Sequence, residues 1–389
     1  MRNIINQGGI VKVLKTSIMF AALTLSSGLS FTSNSNAAVV SKDKIYTNVT
    51  VTPEVVYRLA ANYTGSIDSL KMDLYRPVDA TDTLVRRPCV VLIHGGSFIS
   101  GTKNDTLMMT YGKELASRGY IAVSINYRLG VPIVLTDPVA SQKEFNKAVY
   151  RATQDSKAAV RFLRANAETY HIDTSMIICG GYSAGAVTTI HHAYMSQTEA
   201  VSKIDTTGLG LLEEGANLDQ SSMVKAAINY CGAIGDTNWL QSGDIPIISF
   251  HGTADTVVPY TMGNAFKLPL FPYIYGSATI NRIHLQLGVK DSLYTAPNEG
   301  HALSLITLAL SISKVSTFLY DIVNPSNVSI QKPHSNIQKT SYRVEQNRIV
   351  IVGLDGRVVG SALKGTLPGV YISRSVLGIG NKKQLSISK

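Results

Sequence analysis

The chain has 389 residues, 45% hydrophobic and 16% charged, with a formal net charge of +10. With no run of transmembrane length, this reads as a soluble globular protein of one large domain plus a smaller one. The positive charge lies at the ends: residues 1–37 hold three basic and no acidic residues and residues 326–389 hold ten basic against two acidic, leaving 23 basic and 24 acidic between them. A nearly neutral central domain without a basic, aromatic-interleaved stripe argues against nucleic acid as a partner.

At the front, Arg2, Lys12 and Lys15 precede an apolar stretch from Ile18 to Leu29 and the small-residue site Ser35-Asn36-Ala37. That three-part design is expected of a secretory signal peptide over 1–37, and polar residues within the apolar stretch make a membrane anchor the weaker reading. From Ile45 to Tyr75 the pattern alternates, with turns near Pro53 and from Asn62 to Ser66, as antiparallel strands at a sheet edge do. Strand-like runs then recur at Cys89–Ile93, Ile121–Ile125, Met176–Cys179, Val224–Tyr230, Ile245–Phe250 and His284–Tyr294. Helical patterns fall at Thr110–Arg118, Gln154–Tyr170 and Ala302–Val323, the last stopped by Pro325. Strands alternating with helices predict an α/β fold with a mostly parallel sheet.

Beyond Pro325 the composition turns to Ser, Asn, Gln and Lys, a linker over 326–341. Short strand-like runs follow at Arg348–Val352, Arg357–Val359, Gly369–Ser373 and Gln384–Ser388, so 38–325 is expected to be the main domain and 342–389 a small all-β module. Cys89, Cys179 and Cys231 are an odd set without short spacing, which fits neither a disulfide framework nor a zinc site, and they are expected as buried free thiols.

The chemistry centres on Gly181-Tyr182-Ser183-Ala184-Gly185, a G-x-S-x-G between a strand and a helix. A serine in so sharp a turn is exposed at the sheet edge, and glycines two positions either side avoid clashes. Its hydroxyl needs a base, and the base needs an acid. Asp255 and His301 each follow the carboxyl end of a strand, and the order Ser183, Asp255, His301 is that of α/β-hydrolases. The bare loop His94-Gly95-Gly96-Ser97 leaves room for the N–H groups of Gly96 and Ser97, with that of Ala184, to face an oxyanion.

These motifs, with the ordered matches "INYRL", "DSKAAVRFLRANAETYHID", "HGTADTVVP" and "NEGHA", resemble the carboxylesterase and lipase type of α/β-hydrolase from about Tyr57 to Val323. The pattern is close to that of its hormone-sensitive-lipase-like and bacterial carbohydrate-esterase branches. The resemblance implies a serine esterase working through an acyl-enzyme without metal or organic cofactor, possible substrates including acetyl or feruloyl esters on glycans. A peptidase of the same fold and an inactive hydrolase-fold binding protein are the alternatives. Ser97 stands where many relatives carry a third glycine and Tyr182 where many carry glutamate, differences that bear on substrate range.

Asp155 and Arg161 are expected to form a buried structural pair, and His191 and His192, without ligands at metal spacing, to be structural or exposed. His251 is expected to orient the acid loop, and Glu299 is a weaker choice of acid than Asp255. The segment from Ser196 to Ser222 and the aromatic run Phe266 to Tyr275 could shape the pocket, with Tyr273 and Tyr275 as a substrate platform. Finally, Gly356-Arg357-Val358-Val359, Leu367-Pro368-Gly369-Val370-Tyr371-Ile372 and a basic last strand resemble the C-terminal sorting domain of type IX secretion in Bacteroidota. That resemblance implies export to the cell surface with the type IX machinery as partner, a carbohydrate-binding or stabilising module being the alternative.

Overall fold

The structure, a computed structural model, describes residues 40–78 and 86–325, together with the backbone of three strands at 341–345, 348–352 and 358–363. The alternating pattern near the start forms β1 (Val49–Ala61) and β2 (Ile67–Pro77), an antiparallel hairpin. Its turn is closed by the Asn62 side chain, which accepts from Thr64, and by Gly65 at φ 87°, a conformation glycine adopts without strain.

The central strands are β3 (Arg87–Ile93), β4 (Ile121–Ile125), β5 (Ile172–Tyr182), β6 (Ala227–Tyr230), β8 (Ile247–Gly252) and β11 (Asp291–Ala296). They join the hairpin in one eight-stranded sheet of order β1-β2-β4-β3-β5-β6-β8-β11. β2 runs antiparallel to β4, and every pairing from β4 to β11 is parallel. All seven residues of β3 are buried, as both faces of a parallel sheet require.

On one face lie α1 (Thr106–Ala116) and α7 (Leu305–Val323), packed through Met108, Leu115, Val315 and Leu319. On the other lie α2 (Pro138–Ala165), α4 (Ala184–Tyr194), the short α5 (Gln197–Lys203) and α6 (Ser277–Leu287). Among the described residues α7 is long and apolar enough to cross a membrane; here Ser311, Val315, Phe318 and Leu319 are buried on it while Leu305, Ile306 and Leu310 face outward. This is the α/β-hydrolase architecture expected from the sequence.

Two elements differ from expectation. α2 begins at Pro138, behind an Asp137 cap that accepts from the Ala140 N–H, well before Gln154; a short turn, α3 (Ala167–Tyr170), follows it. Its first half is polar in composition, with Phe145, Ala148, Val149 and Ala152 inward at helical spacing. The run His284–Tyr294 is not one strand. His284 and Leu287 close α6, Gly288 stops the helix in the left-handed region at φ 74°, and β11 starts at Asp291.

A small second sheet of β7 (Ala233–Ile234), β9 (Met262–Asn264) and β10 (Tyr273–Gly276) stands beside the large one. At the C-terminal end β12 (Ser341–Glu345), β13 (Arg348–Val352) and β14 (Val358–Leu363) form an antiparallel meander. The expected runs Gly369–Ser373 and Gln384–Ser388, the segment 1–37 and most of the linker lie outside the described residues.

Candidate active site

Ser183 sits between the end of β5 and the start of α4 with φ 56° and ψ −120°, a strained backbone for a residue with a side chain. The flanking glycines are forced. A Cβ at Gly181 would stand 2.3 Å from the Gly185 carbonyl, and one at Gly185 would stand 2.0 Å from the Ile93 oxygen. The turn is thus wedged against the end of β3 and holds the Ser183 hydroxyl at the carboxyl rim of the sheet.

His301, on the loop after β11, places Nε2 2.8 Å from Ser183 Oγ. Its Nδ1–H donates to Asp255 Oδ2 at 2.7 Å, from the loop after β8. Asp255 Oδ1 accepts from the N–H groups of Val257 and Val258 at 2.8 and 2.9 Å. Burial would raise this carboxyl's pKa, but hydrogen bonds from His251 and His301 and the backbone N–H of Val257 outweigh it and hold the group well below the usual carboxylate range. The two loops are tied together: Ala254 N–H donates to the Glu299 carbonyl at 2.9 Å and Asn298 N–H to Thr253 Oγ1 at 2.9 Å.

Further groups brace the triad. His251 is fully buried, with Nε2 3.2 Å from Asp255 Oδ2 and 3.1 Å from the Val258 carbonyl, so Nε2 carries the proton and Nδ1 accepts from Ser277 at 2.7 Å. The Tyr182 hydroxyl donates to the His301 carbonyl at 2.6 Å, a link no sequence pattern announced. The His301 Nδ1 partner is Asp255 and not Glu299, whose carboxylate accepts from Ser304 and Thr307 at the start of α7.

Across from Ser183, the loop after β3 takes positive φ at Gly96 (113°), Ser97 (56°) and Phe98 (62°). A Cβ at Gly96 would meet the Ser100 oxygen at 2.0 Å, so this position has to be glycine, whereas Ser97 bears the strain of the same region. The N–H groups of Gly96 and Ser97 have no acceptor within the described residues, and that of Ala184, first in α4, has none within its helix. His94 stacks on Tyr127 with ring centroids 4.5 Å apart, and Tyr127 donates to the His94 carbonyl at 3.1 Å, which fixes the loop from below.

The pocket that opens from Ser183 is almost wholly apolar, walled by Phe98, Phe145, Val149, Val187, Phe266 and Ile274. Tyr273 and Tyr275 do not line it, correcting the sequence-based choice. β10 alternates, so Ile274 faces the pocket while the two tyrosines share the opposite side, with Tyr273 49% exposed and their rings 5.6 Å apart. His191, two turns into α4, does line the pocket.

Asp155 and Arg161 are both buried but do not pair. Asp155 binds Arg58 and Arg128 at 3.0 Å each, whereas Arg161 binds Glu213 at 2.5 Å and the Glu214 carbonyl at 2.5 Å. The segment after Ser196 therefore folds back onto α2 and anchors there rather than walling the pocket. The three cysteines are buried and free, and burial pushes their thiols up, Cys179 to about 12. Among the described residues, the single group with ligand atoms close enough for a metal is Cys231, Asp255 and His301, two of which hold each other in the triad.

An eight-stranded, mostly parallel sheet with a serine elbow, an acid and a histidine at its carboxyl rim defines an α/β-hydrolase fold with a Ser-His-Asp constellation. Residues 72–236 match the family model BD-FAE, a span that contains Gly96, Ser97, Ser183 and Ala184 but ends before Asp255 and His301. Gut esterase 1 of Caenorhabditis elegans is 31% identical over 133 residues, 33% of this chain and 22% of that protein. The chain thus spans less than a quarter of the length of the first curated relatives it matches. Among solved structures, Thermogutta terrifontis esterase 2 phosphoramylated by tabun superposes with a TM-score of 0.51 at 20% identity, covering 70% of this chain and 94% of that one. A truncated carbohydrate esterase from gut microbiota gives 0.50 at 19%, covering 73% and 99%. At these identities the structural likeness establishes the fold.

Proposed function

We propose that the protein is a serine hydrolase of carboxylic esters. The observation that carries this is the unbroken hydrogen-bonded line Ser183–His301–Asp255, with bonds of 2.8 and 2.7 Å, opposite a cup of backbone N–H groups without acceptors among the described residues. In this reading His301 Nε2 takes the proton as Ser183 Oγ attacks the ester carbonyl. Asp255 keeps the ring in the tautomer with Nδ1 protonated and stabilises the imidazolium that forms. The oxyanion is met by the N–H groups of Gly96, Ser97 and Ala184, each worth about 3–4 kcal/mol to the transition state. His301 then returns the proton to the departing alcohol, and water, deprotonated by the same nitrogen, releases the acid from the acyl-enzyme.

The apolar pocket takes the acyl side of the ester, and glycan-linked acetyl or feruloyl esters are the class we propose, on the strength of the sequence resemblance and the carbohydrate-esterase neighbour. We also propose that residues 1–37 direct export and that 342–389 sort the enzyme to the cell surface, on the signal-peptide design and the sorting-domain resemblance. Deleting 340–389 is then expected to leave the enzyme in the periplasm, and unchanged surface delivery would refute the sorting role. The hydrolase reading is tested with a fluorophosphonate probe: Ser183 is expected to be labelled in the wild type, with no labelling and at least a 10⁴-fold loss of p-nitrophenyl acetate hydrolysis in Ser183→Ala. Equal activity in the two proteins would refute it.

A further inference from the structure

The helix that starts at the nucleophile also carries the one histidine that lines the pocket among the described residues. Ala184, Val187 and His191 follow one another along one face of α4 and all line the pocket, so the cavity runs beside the helix for seven residues, a rise of about 10 Å. An acetyl group would leave most of that depth empty. An acyl group that reaches His191 must therefore extend well beyond an acetyl.

The surroundings of His191 are specific. His191 is 3% exposed, and its Nδ1 lies 2.7 Å from the Val187 carbonyl. A carbonyl only accepts, so Nδ1 carries the proton and Nε2 of the neutral ring presents a lone pair. Burial favours that neutral ring and pulls the pKa down to about 4. Nε2 has no hydrogen-bonding partner among the described residues, yet it is not sealed in the interior. It faces Gly235, another lining residue, where an added Cβ would come within 3.2 Å of this nitrogen, so the absence of a side chain at 235 keeps the acceptor open. Trp239 packs edge-on against the imidazole with centroids 5.4 Å apart and holds it in place.

We propose that His191 Nε2 and the gap at Gly235 form a recognition subsite for the far end of the acyl group, accepting a hydrogen bond from a terminal hydroxyl such as that of a 4-hydroxyaryl acyl chain. This rests on the ester-hydrolase reading and deepens it. An aryl acyl group without the hydroxyl would bury the lone pair with nothing to bond, the situation in which a polar site discriminates against a close analogue.

The test compares kcat/KM for methyl 4-hydroxycinnamate, methyl cinnamate and methyl 4-methoxycinnamate, which share the ester and ring and differ at the terminal group. The wild type is expected to favour the hydroxylated ester over both others by about tenfold or more. In His191→Phe that ratio should fall to about one. Gly235→Ala, which leaves His191 and its Val187 bond in place but crowds Nε2, should lower the ratio as well. Equal rates for the three esters in the wild type, or a ratio that survives both substitutions, would overturn the subsite. So would turnover of p-nitrophenyl acetate with none of the cinnamates, while the ester-hydrolase reading stands. No labelling of Ser183 by the fluorophosphonate and no hydrolysis of any ester would instead bring down that reading, and the subsite with it.

Discussion

The two sides of α4 treat their polar groups in opposite ways. On the side turned to the second half of α2 and the segment after Ser196, these charges and rings are met by partners: Asp155 by Arg58 and Arg128, Glu213 by Lys157 and Arg161, and His192 at both nitrogens, by Ser156 Oγ at 2.7 Å and the Ser222 carbonyl at 2.8 Å. On the pocket side the wall is mostly apolar, and among its polar atoms the N–H groups of Gly96 and Ser97 and Nε2 of His191 have no hydrogen-bonding partner among the described residues. His191 and His192 are chain neighbours about 100° apart around the helix, which puts one on each side. The scaffold-facing histidine is thus bonded at both ring nitrogens while the pocket-facing one keeps a lone pair open, although nitrogens of Arg58 and Arg151 buried beside α2 also lack hydrogen-bond partners among the described residues.

The contrast can be broken first at the scaffold. Asp155→Ala would leave Arg58 and Arg128 buried without their shared partner, and a loss of about 3–5 kcal/mol in unfolding free energy is expected in denaturant titration. A loss below about 1 kcal/mol would mean that the network is not what fixes this side.

Next comes pH. Burial keeps His191 and His192 neutral, lowering them from 6.5 to about 4 and about 3, with the Lys157 charge assisting at His192. An unfolded chain takes up those protons near 6.5 while the folded one does not. Their contribution to stability is therefore present above about pH 6.5 and is lost as pH falls towards 4 and then 3, by about 2 kcal/mol each at pH 5. His284 opposes this. Burial disfavours its charge, but Asp244 and Asp291 prevail and raise its pKa, so its contribution is present below 6.5 and fades as pH rises through the folded value. Thermal midpoints between pH 7 and 4 are expected to fall in the wild type and to fall less in His192→Gln; parallel curves would show that His192 is not the source.

A smaller effect separates positioning from scaffold. Tyr182→Phe removes the hydrogen bond to the His301 carbonyl, and kcat for ester hydrolysis is expected to drop up to about tenfold while unfolding free energy changes by no more than about 1 kcal/mol. Loss of stability without loss of kcat would place Tyr182 with the scaffold instead.

Much of the fold could be read along the chain because parallel strands buried on both faces leave short β-branched runs, and the loops at their carboxyl ends carry the chemistry. Ser183 stands directly after β5, Asp255 three residues after β8 and His301 five residues after the partly exposed edge strand β11, and the structure brings them within hydrogen-bond reach. What stayed hidden depends on tertiary contacts. The partners of Asp155 and Arg161 lie at Arg58, Arg128 and Glu213, on other elements of the fold. Ile274 rather than Tyr273 or Tyr275 faces the pocket because of which way one short strand turns. His191 differs from His192 only through what each meets, although its spacing from the nucleophile, two turns down the elbow helix, was a signal in plain view.

The central claim is that Ser183 carries the acyl group. Mixing the protein with excess p-nitrophenyl ester, quenching with acid within the first turnover and mapping peptides by mass should find the acyl adduct on the peptide containing Ser183, with a matching burst of p-nitrophenol. An unmodified Ser183 beside full turnover, or an adduct on a different residue, would contradict the account.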